Sequence, residues 1–348
     1  METTTKRNKG CGLGCVMALL AFCLMVVVLA AAGVWLVGQF REGWLDEAPW
    51  RTADAARLGG VDEQPRMREI WSAGDGDSGV KVARILLRGA IMINDAPWDG
   101  EGAGSASSAL RAIRCAAADP AVRAILLEID SPGGGITLSD QIYHELKGFK
   151  ESDEGRVVVA LMGDLCASGG YYVALAADRI VAHPTTLTGS IGVLLSSLNL
   201  RELADKIGVR DVTIKSGANK DMLNPLRDLS PAQTSMLQQV VDALHGRFVG
   251  LVAENRNLAV EEVRRWADGR VFLAEEALQA GLIDAIGYRE TAMQQVAERL
   301  ALDEPLKVIR YEDEGSWMDL FRRPRLFGGL GLQQMLEGDS RLRYQWRP

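Results

Sequence analysis

Two short apolar runs, Val122 to Ile129 and Val157 to Met162, limit what this chain can become. Each is about one strand long, rich in Val, Ile and Leu, and lacks the polar alternation of a half-exposed strand. Such runs are buried on both faces, as strands of a parallel sheet covered by helices are. Their surroundings agree. Strand candidates at 82–91, 179–182 and 211–214, with a β-like stretch at 190–195, alternate with helical patterns at 105–118, 138–149, 201–207, 231–255 and 289–302. Residues 281–287 read as one more short strand, and Ser230 stands where the 231 helix needs its cap. The alternation implies an α/β domain with a largely parallel sheet.

The N-terminal end follows a different rule. Lys6, Arg7 and Lys9 precede an uncharged run from Gly10 to Phe40, 31 residues long. A helix needs about 20 residues to span a bilayer. The core of a cleaved signal peptide is only about 7–15 residues long, so an uncleaved anchor fits better. The flanking charges leave the N-terminus in the cytoplasm and the bulk of the chain outside. Residues 41–79 read as a juxtamembrane linker, with Trp44 and Trp50 at the membrane interface or packed on the domain. After Asp303 the chain turns charged and reads as a weakly ordered tail or an arm onto a neighbour. A net charge of −7 leaves no footprint for nucleic acid. Cys11, Cys15 and Cys23 fall in the apolar run, so Cys115 and Cys166 are the one pair able to bridge within the domain. No spacing indicates a metal or cofactor site.

The stretch Cys166-Ala167-Ser168-Gly169-Gly170-Tyr171-Tyr172 follows the second apolar run and opens a helical segment, 171–177. Ser168 therefore sits at a helix N-terminus, where free N–H groups and the positive end of the helix dipole converge. A serine there caps the helix, the commoner use, or acts as a nucleophile whose oxyanion those N–H groups hold. Gly169 and Gly170 clear side chains from the place a substrate carbonyl would occupy. The first apolar run ends in Asp130-Ser131-Pro132-Gly133-Gly134-Gly135. This is a plain turn or a second source of oxyanion N–H groups; both nucleotide-binding fingerprints fail here.

A nucleophilic serine needs a base. His144 and His245 lie within helical patterns, and His183 follows a strand; none has an evident carboxylate to orient it. Only His183 stays in reserve. The Gly-x-Ser-x-Gly elbow fails because position 166 is Cys. The chain has nine lysines, few enough to sort. Lys6 and Lys9 lie across the membrane, Lys147 and Lys150 at a helix end, and Lys206 on an amphipathic helix. Of the rest, Lys220 follows a turn and precedes Asp221 to Pro225; a loop lysine is most often a surface charge. As a base, a lysine must be neutral, and at pH 7 only about 4 in 10,000 free lysines are. Burial of the amine supplies the roughly 4 kcal/mol needed, and a hydroxyl such as Ser190 would hold it without adding charge.

With these segments in order, the sequence resembles the signal peptide peptidase A family, membrane-bound serine proteases of peptidase family S49. The resemblance spans Val80 to Tyr288. It rests on Asp130 to Gly134, Ala167 to Tyr172, Thr188-Gly189-Ser190-Ile191-Gly192-Val193, and Lys215-Ser216-Gly217 through Lys220-Asp221 to Pro225. It implies a ClpP/crotonase-like α/β fold of repeated ββα units behind an N-terminal transmembrane helix. The layout would be a cytoplasmic N-terminus at 1–9, an anchor at 10–40, a linker at 41–79, a protease domain at 80–302 and a tail at 303–348. Ser168 would be the nucleophile, Lys220 the general base and Ser190 the lysine's hydrogen-bond partner. The N–H of Gly169 and one from Gly133 or Gly134 would bind the oxyanion. No cofactor is implied. The substrates would be cleaved signal peptides and unfolded membrane-associated chains. The expected location is the bacterial inner membrane, with the catalytic domain outside the cytoplasm. The expected assembly is a homo-oligomeric ring in which serine and lysine come from adjacent subunits. Two rival readings stand beside it: a crotonase-like acyl-CoA enzyme, and a non-catalytic membrane scaffold of the same fold.

Overall fold

A computed structural model of the chain describes residues 67–92, 105–302, 306–313 and, as backbone, 343–345. All belong to the second of two compact units, residues 60–348. The expected anchor at 10–40 lies outside the described residues. Among those described, no helix is long and apolar enough to cross a membrane.

The central sheet runs in the order β1 (Met67–Ala73), β10 (Lys307–Asp313), β2 (Lys81–Arg88), β3 (Val122–Ser131), β5 (Val157–Ala167), β6 (Arg179–Ala182), β9 (Ala285–Ile286). From β10 to β9 every neighbour is parallel; β1 joins antiparallel at the edge. The two apolar runs are thus the central pair, β3 and β5. Their side chains point alternately into two cores, which is why neither run alternates in polarity. Ile125, Leu127, Ile129, Val158, Ala160 and Met162 enter one core. Ala124, Leu126, Val159 and Leu161 enter the other. The larger core is covered by α1 (Ala106–Ala118), α2 (Ile136–Glu151) and α3 (Gly169–Ala174), the smaller by α8 (Arg289–Leu300). The mixed α/β class holds.

Ser105 caps α1 by accepting from the Ser108 N–H, a cap the pattern did not single out. The cap expected at Ser230 is present. Ser230 and Gln233 form a reciprocal capping box at the head of the long helix α5 (Pro231–Arg256). Other expectations differ. Residues 67–73, expected in a linker, and 307–313, expected in a tail, pair with each other and extend the sheet past β2. Their mixed, largely polar composition hid them. Residues 211–214 form no strand: Val212 and Ile214 stand exposed, with no neighbouring strand to pair. Around them, 193–230 forms an arm carrying only the short helix α4 (Arg201–Ile207). After α5 come α6 (Val260–Trp266), β8 (Val271–Leu273) and α7 (Ala274–Gln279), a compact stretch whose short elements leave little periodicity to read.

Strand β5 changes partners half-way. Met162 faces Ile129 and Cys166 faces Ser131, so three residues of β5 lie against the single Asp130. Before this bulge β5 pairs with β6; beyond it, Leu165 to Ala167 pair with β7 (Leu187–Gly189), which pairs antiparallel with β8. The Asp130 carboxylate accepts from the Leu165 N–H left free by the bulge, at 3.1 Å.

Charged anchors tie the helices to the sheet ends. The Glu128 carboxylate takes both arms of Arg84, at 2.8 Å each, and Arg289 of α8. Asp284 accepts from the Ile180 N–H at 2.7 Å and pairs with Arg256 and Arg179. Burial opposes the charge on both carboxyls, but these donors outweigh it and hold each below its ordinary range. Lowered in the folded state, they contribute their full stability above the ordinary carboxylate range and lose it as acid protonates them. Unfolding monitored against pH should therefore show stability falling below about pH 4. Asp284→Ala, which strands the nearly buried Arg256, should cost about 3 kcal/mol in urea denaturation at neutral pH.

Candidate active site

Ser168 sits between β5 and α3, as the strand–turn–helix pattern predicts. Its backbone has φ 53° and ψ −117°, a region that L-residues other than glycine rarely enter and that costs about 1–3 kcal/mol. The side chain is buried and its hydroxyl makes no capping bond to the helix it precedes. The commoner use of a serine here is therefore not realised. The strained turn is pinned on both sides: the Ser168 N–H donates to the Gly189 carbonyl at 2.8 Å, and its carbonyl accepts from the Tyr172 N–H at 2.9 Å.

The two glycine segments meet. A side chain at Gly169 would begin 3.1 Å from the Gly134 nitrogen, 3.2 Å from Gly133 Cα and 2.6 Å from the Ser139 hydroxyl. Nothing larger than hydrogen fits between the serine helix and the Gly133 turn. Within strand β4 (Gly133–Gly135), the roles divide. Ile91 donates to the Gly133 carbonyl and accepts from the Gly135 N–H, while the Gly133 N–H donates to Ser131 Oγ at 3.1 Å. Gly134, by strand alternation, presents its N–H and carbonyl on the opposite edge. Along that edge runs β11 (Arg343–Gln345), antiparallel, with Tyr344 facing Gly134. The sequence pattern expects a weakly ordered tail or an arm onto a neighbour there.

Ser190 follows Gly189, the acceptor of the Ser168 N–H, and the β7 register brings it beside the serine turn. It is buried, with φ 50°, and its own N–H donates to the Arg270 carbonyl at 2.7 Å. Ser168, Gly169, Gly133, Gly134 and Ser190 thus share one neighbourhood. Lys220 does not join them: it is exposed on the arm, its N–H donating to Gly217, and no hydrogen bond links it to Ser168 or Ser190. The arm's other loop lysine, Lys215, is held by Asp221 at 2.6 Å, and Asp221 also takes Arg227.

The remaining candidates separate. His183 lies against the Tyr288 ring in a cleft with Arg88, Asp130 and Asp164, a cleft that Ser168 does not line. No disulfide joins Cys115 to Cys166, and burial pushes the Cys166 thiol up, away from a reactive thiolate. Among the described residues, no cluster of His, Cys, Asp and Glu could hold a metal. A network that sequence reasoning missed surrounds Tyr172. Its hydroxyl donates to Asp140 at 2.5 Å, and Arg247 of α5 donates to both. The three residues are scattered over 107 positions, so no spacing signalled them.

Comparison with known proteins decides the family. The model for peptidase family S49 matches residues 150–303. The Synechocystis protein named "Putative protease slr0021" is 42% identical over 223 residues, covering 64% of this chain and 76% of that protein. The chain belongs to peptidase family S49. Within the family, a Salmonella typhi relative named "Protease 4" is 34% identical over 70% of this chain, which spans 38% of that longer protein. An Enterococcus faecium relative named "Putative signal peptide peptidase SppA" is 39% identical, with 59% of its length covered. A ClpP1 mutant from Listeria monocytogenes aligns with 60% of this chain and 94% of its own at 16% identity and a TM-score of 0.39.

The strain at Ser168 has a measurable signature. Ser168→Gly, free to adopt φ 53°, should be more stable than Ser168→Ala by about 1 kcal/mol in denaturant titration, the reverse of the usual order of glycine and alanine. Equal stabilities would mean the turn relaxes in solution.

Proposed function

We propose that this S49 chain is a membrane-anchored serine endopeptidase with a Ser168/Lys220 dyad. It cleaves extended peptides, of which spent signal peptides and unfolded membrane-associated chains are the natural class. The observation that carries this reading is the Ser168 turn: a strained, buried serine whose hydroxyl does no capping, set against a glycine edge. Strain of this kind persists where the surrounding structure holds it for a purpose.

Ser168 Oγ attacks the peptide carbonyl as Lys220 takes its proton. The carbonyl oxygen, now an anion, lies between the N–H groups of Gly169 and Gly134. Gly134 is the better placed of the two turn glycines, because the Gly133 N–H is engaged by Ser131. The tetrahedral species collapses, the amine leaves with the proton from Lys220, and an acyl-serine remains. Lys220 then deprotonates a water that adds to the acyl carbonyl; the bond to Ser168 Oγ breaks, Oγ takes the proton back from Lys220, and the acid leaves. Ser190 accepts a hydrogen bond from the lysine amine and keeps it aimed. Substrate adds as a strand on the outer edge of β4, as the chain's own residues 343–345 do.

The lysine arrives from a second copy of the chain. The arm that carries it exposes Leu198, Leu203, Ile207, Val212 and Ile214, the last two almost fully. So much apolar surface on one segment calls for a protein partner. A head-to-tail contact that closes gives a ring with one composite site per interface.

A fluorophosphonate probe should label Ser168 in the assembled protein and leave Ser168→Ala unlabelled. Ser168→Ala and Lys220→Ala should each abolish peptide hydrolysis. Co-expressed in equal amounts, the two inactive chains should recover about a quarter of wild-type activity, because random neighbours rebuild about one composite site in four. Absence of recovery in mixed rings would place both groups in one chain; hydrolysis by Ser168→Ala would end the serine reading.

A further inference from the structure

The long helix α5 is buried unevenly. From Pro231 to Arg247 no residue is fully buried, and Phe248, Val249, Val252 and Ala253 are the ones that enter the core. The first 17 residues therefore leave the body as a lever about 25 Å long. The arm bearing Lys220 hangs from its free end through residues 221–230. Whatever sets the angle of α5 at its point of departure sets the reach of the lysine.

At that point stands Arg247. It donates to Asp140 at 2.6 Å and to the Tyr172 hydroxyl at 3.2 Å, while Tyr172 donates to Asp140 at 2.5 Å. Asp140 belongs to α2. Tyr172 belongs to α3, one turn beyond Ser168, and its N–H donates to the Ser168 carbonyl at 2.9 Å. The Tyr172 ring packs on Phe248 at 5.1 Å and edge-on to Tyr143 at 5.7 Å. Burial works against the Asp140 charge, yet the bonds from Tyr172 and Arg247 outweigh it and hold the carboxyl below its ordinary range. Three helices thus meet in one hydrogen-bonded triangle, with the serine turn at one corner and the lysine lever at another.

We propose that Arg247, Asp140 and Tyr172 are positioning residues that fix the direction of α5, and so carry Lys220 to its serine. This rests on the Ser168/Lys220 reading. The Arg247–Asp140 pair is more than a third exposed on both sides. As a stabilising device it would be worth little. As a pivot its effect is magnified by the length of the helix, since a small rotation at residue 247 moves the far end by several ångströms.

The test uses the full-length assembled protein. Arg247→Ala, and Tyr172→Phe, which keeps the ring and loses only the hydroxyl, should lower kcat by about 10- to 100-fold. KM should stay within about twofold, because the strand-binding edge is untouched. The melting temperature should move by less than about 3 °C, and the assembly should sediment as the parent does. Unchanged kcat in both variants, beside an inactive Ser168→Ala, overturns this inference alone; full activity in Ser168→Ala overturns the dyad and the inference together. Mixed rings of Ser168→Ala and Lys220→Ala chains add a readout that loss of stability cannot mimic. Arg247→Ala placed in the lysine-donating chain should cost about tenfold more activity than the same change in the serine-donating chain. Equal losses in the two arrangements overturn the proposal.

Discussion

The approach of Gly169 to the Gly133–Gly134 turn holds the rest of the site in place. With 3.1 Å between a would-be Cβ and the Gly134 nitrogen, the serine helix and β4 touch backbone to backbone. That closeness brings the backbones of two separate segments together beside the serine. It also explains why Ser168 can remain in a costly conformation. Its N–H is tied to Gly189, its carbonyl to Tyr172, and the following residue is wedged against the neighbouring turn. A turn held at three points cannot relax without opening the sheet at its centre.

Much of this was readable from residues alone. The two apolar runs proved to be the central parallel strands because burial on both faces leaves an unmistakable pattern. The cap at Ser230 was legible because a capping residue acts on its own local backbone. Strands β1 and β10 were not, since the edge strand β1 is largely exposed and β10 carries its buried Val308 and Ile309 within a charged run. Residues 211–214 looked like a strand because Val-Thr-Ile has the propensity, but propensity without a neighbour to pair with does not make a strand. The glycines of the two turns lie against each other beside Ser168, and Ser190 follows the glycine that accepts from the Ser168 N–H; it was the resemblance that singled these residues out together. The Arg247–Asp140–Tyr172 triangle lay beyond reach, being built of common polar residues whose proximity exists only after folding.

The molecule divides its rigidity. Strands β2, β3, β5 and β6 and the helices over them are fully packed, whereas residues 193–247 are largely exposed. A peptidase arranged this way keeps the groups that need fixed geometry in the body. On the proposed dyad, the group that completes the reaction would be delivered from the exposed half.

The bulge in β5 has an arithmetic of its own. Ile129 to Ser131 advances two residues while Met162 to Cys166 advances four. Both steps are even, so Met162 and Cys166 still enter the same core and the in–out phase survives the kink. An excess of one residue in place of two would have reversed that phase, sending Ser168 and its helix toward the opposite side of the sheet, away from Gly134. Gly163 and Asp164 therefore act as a parity-preserving spacer.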